Sequence, residues 1–110
     1  MPEATTVLVD ANNVLRSQWP NIPEGELVAR VRRWAAEQGV RAVIVFDGAA
    51  PAEADDVVGS GRETADDWIA RAAADLDRYW LVTSDRELRR RAGDNAERVI
   101  GGGTFARDLP

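Results

Sequence analysis

Three apolar runs in this chain each close on an aspartate: Val7-Leu8-Val9-Asp10, Val43-Ile44-Val45-Phe46-Asp47 and Leu81-Val82-Thr83-Ser84-Asp85. Short runs rich in β-branched residues, apolar at successive positions, are the pattern of strands buried on both faces, and such strands belong to parallel sheets covered by helices. Helical periodicity fills the intervals. From Glu24 onward Leu27, Val28, Val31, Trp34 and Ala35 recur at helical spacing, with Pro23 suited to the first turn and Gly39 to the end. From Thr64 onward Ala65, Ile69, Ala72 and Leu76 share a face with Trp68 beside it, and Asp85 to Ala92 reads as a short basic helix.

The remaining segments complete an alternation. Thr5 to Asp10, Val40 to Phe46, Tyr79 to Thr83 and Glu97 to Ile100 read as strands, and Val57-Val58 as a short edge strand within the loop from Gly48 to Arg62. Asp10-Ala11-Asn12-Asn13 reads as a polar turn, and Gly101-Gly102-Gly103 as a break before a short terminal helix capped by Thr104. The pattern predicts an α/β fold: one domain over residues 1–110, a three-layer α/β/α sandwich with a mainly parallel central sheet. With 45% apolar and 30% charged residues the chain has the make-up of a globular domain. No apolar stretch approaches the roughly 18 residues of a membrane span. The start of the chain has no signal-peptide pattern, so the expectation is a cytoplasmic protein without a membrane partner.

Missing residue types narrow the chemistry. There is no cysteine and no histidine, which removes thiolate metal sites, disulfides, cysteine nucleophiles, the commonest general base and the Ser-His-Asp arrangement. Carboxylates, hydroxyls, amides and arginines remain. In a parallel sheet Asp10, Asp47 and Asp85 share the carboxyl edge, where open α/β sheets bind ligands. Asp66 and Asp67 stand in the first turn of the helix after Thr64 and join them if that helix starts at the same edge. Clustered carboxylates repel one another and suit a hard divalent cation such as Mg²⁺, which keeps waters and leaves positions for a phosphate oxygen and an attacking water. The chemistry implied is metal-assisted phosphodiester hydrolysis.

Each acid also has an ordinary role. Asp66 and Asp67 favour the helix dipole, and Thr64 with Asp67 resembles a capping box. Asp47 before Gly48 is either a rim ligand or a turn residue, and Asp85 is a candidate helix cap. The net charge of −5 means that a polyanionic partner needs a local basic patch or a metal. Arg86, Arg89, Arg90 and Arg91 offer such a patch beside Asp85, with Arg16 and Arg62 as secondary candidates; the competing role is ion pairing on a solvated helix face. Trp19 either stacks on a base or anchors its loop by packing, whereas Trp34, Trp68 and Trp80 read as core or helix-sheet contacts.

The order Leu8-Val9-Asp10-Ala11-Asn12-Asn13-Val14, Val45-Phe46-Asp47, Glu63-Thr64-Ala65-Asp66-Asp67-Trp68-Ile69 and Val82-Thr83-Ser84-Asp85-Arg86-Glu87-Leu88 resembles the NYN branch of the PIN-like nucleases, especially its YacP-like bacterial ribonucleases. The resemblance runs through Gly101-Gly102-Gly103-Thr104-Phe105-Ala106-Arg107-Asp108-Leu109 and so spans nearly the whole chain. It implies an endoribonuclease that cuts RNA with Mg²⁺ or Mn²⁺ held by carboxylates. By motif position Asp10, Asp66, Asp67 and Asp85 would be metal ligands, with Asp47 a further candidate, and Asn13 would position metal, water or phosphate. Thr83 and Ser84 would orient ligands by hydrogen bonds, and Arg86, Arg89, Arg90, Arg16 and Arg62 would meet RNA. Ala11 and Asn12 stand where similar proteins have glycine and tyrosine. Related proteins also continue a helix beyond the position of Leu109, so the edge it would cover is either exposed or covered by a second subunit in a homodimer. The expected partner is RNA (messenger, ribosomal or transfer), with the ribosome as a further candidate. Two alternatives stay open: an inactive RNA- or ribosome-binding module of the same fold, and a phosphatase with Asp10 as nucleophile. The phosphatase would want an aspartate at position 12 and a lysine, and the chain has Asn12 and no lysine.

Overall fold

The computed structural model describes residues 4–110. Five strands form one sheet, β1 (Thr6–Asp10), β2 (Arg41–Phe46), β3 (Val57–Gly59), β4 (Tyr79–Val82) and β5 (Arg98–Ile100), in the order β3-β2-β1-β4-β5. Every neighbouring pair is parallel. The helices are α1 (Ala11–Arg16), α2 (Glu24–Gln38), α3 (Ala65–Ala74), α4 (Arg86–Ala92) and α5 (Gly102–Asp108). Together they make the expected single α/β/α domain. No helix among the described residues is long and apolar enough to cross a membrane.

The strand period of two splits the core into two layers. Val7 and Val9 of β1, Ala42, Ile44 and Phe46 of β2, and Val82 of β4 pack with α1, α2 and α5. Leu8, Val45, Tyr79 and Leu81 point the other way and pack with α3 and α4. Trp34 meets Phe105 edge-on at 4.8 Å and Trp80 at 6.4 Å, which joins α2, α5 and β4. Trp68 and Trp80 are partly buried against the two core layers, as their spacing suggests. α2 ends at Gly39 in the left-handed conformation (φ 68°), where its N–H reaches the Ala35 and Ala36 carbonyls.

Two segments differ from the sequence expectation. Residues 11–13 are not a turn but the start of α1, which follows Asp10 without a break. Ala11 and Val14 are fully buried on one face of this helix. The Asn12 and Asn13 side chains bond to distant backbone amides instead of competing for their own, which is the usual reason asparagine disfavours helix. The glycine run is also no break. α5 is capped at Gly101, and Gly102 and Gly103 are helical, so Thr104 lies inside the helix rather than at its cap. A Cβ at Gly102 would lie 2.3 Å from Asn13 Oδ1, so close passage of α5 over α1 requires glycine there.

Candidate active site

The sheet order makes β1 the pivot, with β2 on one side and β4 on the other, so connections leave β1 and β4 in diverging directions at their carboxyl ends. A cavity of about 190 Å³ opens at this edge, lined by Asp10, Asn12, Arg16, Asp47, Thr64, Ala65, Asp66 and Asp85. Four of the five acids singled out in the sequence therefore face one space. Asp67 is not among the lining residues; its Oδ1 ion-pairs with Arg91 Nη1 at 2.8 Å.

Asp10 is the buried member, 4% exposed at the end of β1. The hydroxyl of fully buried Thr83 donates to Asp10 Oδ2 (2.9 Å) and accepts from the Asp85 N–H (3.1 Å), so one oxygen links the ends of β1 and β4. Asp85 occupies the N-cap of α4, where its Oδ1 accepts from the Leu88 N–H at 2.9 Å. On the far side, Asp47 Oδ1 accepts from the Ala65 N–H (2.9 Å) at the start of α3. The Asp47 N–H itself donates to Asn12 Oδ1 (2.8 Å), tying β2 to α1. Thr64 caps α3 by accepting from the Asp67 N–H at 3.1 Å. The capping roles of Asp85 and Thr64 are thus real. They fix one oxygen of Asp85 without removing it from the cavity.

The cavity is electrostatically uncomfortable. Burial raises the Asp10 carboxyl above its ordinary value against the pull of the Thr83 hydrogen bond, and the Asp66 carboxylate adds to the rise. Asp66 is raised by burial and then by Asp85, with Arg91 opposing and Asp47 and Asp67 contributing further. Among the described residues no three acidic side chains form a ready-made metal-holding group, so the four make a rim rather than a cage. The donor set fits a hard cation all the same: its carboxylates offer oxygen only, and burial together with neighbouring carboxylates raises two of them, Asp10 and Asp66.

The other candidates fall around this rim. Asn13 Oδ1 accepts from the Ser84 N–H at 2.9 Å, and Ser84 Oγ accepts from the Gly102 N–H at 2.8 Å, so this pair ties α1 and α5 to the β4–α4 turn. Arg16 lines the cavity. Arg89 Nε donates to the Thr83 carbonyl at 2.9 Å, and Arg90 pairs with Glu87. Arg86 and Arg62 are exposed, the first at the start of α4 and the second on the loop before α3. Asn12 and Thr64 are lining residues that the motif reading did not place in the site.

No protein-family model and no curated protein matches the sequence. Among solved structures, the crystal structure of Rae1 (YacP) from Bacillus subtilis (W164L mutant) superposes with a TM-score of 0.74 at 23% identity, covering 94% of this chain and 74% of that one. The chain therefore shares the fold of a YacP protein, at an identity that speaks for the fold alone.

Proposed function

We propose that this protein is a metal-dependent endoribonuclease that hydrolyses phosphodiester bonds of single-stranded RNA with Mg²⁺ or Mn²⁺. The observation that carries the reading is the single cavity lined by Asp10, Asp47, Asp66 and Asp85 at the carboxyl edge of a parallel sheet. The fold shared with Rae1 (YacP) supports it. Asp10, Asp66 and Asp85 would hold the cation, directly or through water, with Asp47 across the rim. A bound divalent ion would supply Lewis-acid stabilisation of phosphate charge and a bound water more acidic than bulk water.

The chain's own residues do the rest. Thr83 orients Asp10 through Oδ2. The Leu88 and Ala65 amides hold one oxygen each of Asp85 and Asp47, so the donors are positioned before a ligand arrives. Arg16 is the cation of the cavity and would meet a substrate phosphate. With no histidine in the chain, a paired-imidazole route through the RNA 2′-hydroxyl is closed, and hydrolysis leaving a 5′-phosphate and a 3′-hydroxyl is the expected outcome.

The test is cleavage of labelled single-stranded RNA across a metal series by wild type, Asp10→Asn and Asp66→Asn. Each substitution is expected to lower the rate by more than about a hundredfold. Retained cleavage in both variants, or undiminished cleavage in excess EDTA, refutes the reading. The open spacing of the four acids favours one second reading, an RNA-binding module without turnover; RNA binding with no cleavage under any metal would establish it.

A further inference from the structure

Trp19 is the most exposed large apolar side chain among the described residues, 90% accessible. Its loop is held without it. Leu15 and Ile22 pack against the α1–α2 side of the core, Ser17 Oγ donates to the Val14 carbonyl at 2.5 Å, and Pro20 and Pro23 restrict their own φ. Of the two roles open to this tryptophan in the sequence, packing is therefore not the one it performs.

Topology places the loop beside the acidic cavity. α1 starts at Asp10 on the carboxyl edge, and α2 must run back to the opposite edge to feed β2, so the start of α2 and residues 17–23 before it lie on the carboxyl side. Arg16, three residues before Trp19, already lines the cavity. Residues 17–23 carry no charge, so in a chain of net charge −5 this part of the rim does not repel a polyanion. An indole is broad, flat and stiff, and every base has a face to lay on it.

We propose that Trp19 is a stacking platform for an unpaired base of the RNA strand whose phosphate enters the cavity past Arg16; this rests on the ribonuclease reading above. Bases inside a duplex are stacked on one another and offer no free face, so the platform selects single strands. It acts on binding, and the chemistry belongs to the cavity.

Fluorescence anisotropy with a cleavage-resistant single-stranded 2′-O-methyl phosphorothioate decamer in Mg²⁺ tests this. Trp19→Ala is expected to bind about 5- to 100-fold more weakly than wild type, and Trp19→Phe to recover most of the loss. Wild type should bind the corresponding duplex no better than Trp19→Ala does. With cleavable RNA, Trp19→Ala should raise KM and leave kcat at saturation unchanged. Equal single-strand affinities for wild type and Trp19→Ala, or an equal loss on the duplex, overturn the proposal. If wild type still cleaves RNA in that case, the nuclease reading survives. No binding of RNA by wild type overturns both.

Discussion

Gly102→Ala sets two effects of opposite sign against each other. Alanine is favoured over glycine within a helix by about 0.8–1 kcal/mol, so propensity alone makes the substitution stabilising. Geometry opposes it, because the new Cβ would lie 2.3 Å from Asn13 Oδ1. That oxygen is not free to swing aside, since it accepts from the Ser84 N–H at 2.9 Å and Asn13 is embedded in α1. Moving it forfeits a hydrogen bond and strands a donor, at about 1–3 kcal/mol; holding it forces overpacking at a similar cost of about 1–3 kcal/mol. The net expectation is destabilisation of up to about 2 kcal/mol, or a thermal midpoint lower by up to roughly 10 °C.

Gly103 is the matched control. It sits in the same helix, but a Cβ there would meet Ser17 Cβ at 3.9 Å, an ordinary contact. Gly103→Ala should therefore keep the propensity gain and raise the midpoint by a few degrees. Thermal unfolding followed by far-UV circular dichroism reads both. A Gly102→Ala midpoint raised as much as that of Gly103→Ala would refute the claim that close passage over Asn13, rather than helix breaking, explains the glycine.

Two further outcomes follow from the cavity. Asp10 binds its proton more tightly folded than unfolded, so ionising it costs stability: stability falls as pH rises from the ordinary carboxylate value through the raised native one, and the full cost persists above. In EDTA, Asp10→Asn should unfold at a higher temperature than wild type at pH 7, with the gap closing as pH falls toward 4; a pH-independent gap would contradict this. Thr83→Val keeps the side-chain shape but removes the hydroxyl shared by Asp10 and the Asp85 N–H, which should cost about 1–3 kcal/mol in urea unfolding; an unchanged midpoint would mean that the link contributes nothing to stability.

The strands and long helices were legible because burial imposes a period, and the period survives in Leu27, Val28, Val31 and Trp34 or in Val43 to Phe46 whatever the rest of the chain does. α1 was not legible, because Asn12 and Asn13 look like turn formers locally while their side chains serve amides 35 and 71 residues away. The Ala11–Val14 spacing was the available signal. The glycine run misleads for the same reason at Gly102: its cause there is Asn13, which local sequence does not bring near. Within the site, the sequence placed Asp66 and Asp67 together, but neighbours on a helix point about 100° apart. Only the packing of α3 and α4 turns Asp66 to the cavity and Asp67 to Arg91.

The fold satisfies the four acids unequally, and that inequality argues for a ligand. Asp47 and Asp85 each receive a backbone amide from the first turn of a helix, α3 and α4 respectively, where the helix dipole also favours negative charge. Asp10 receives the hydroxyl of Thr83 and the backbone N–H of Asn13, and burial still outweighs both. Asp66 faces Asp85 and Asp47, with Arg91 divided between it and Asp67. A rim needed only to cap helices would have no use for Asp66, since Thr64 is the residue that caps α3, and would gain nothing from burying Asp10 so deeply. Asp10 and Asp66 are the two acids whose ionisation the fold penalises. They are therefore the two for which a cation in the cavity would change most.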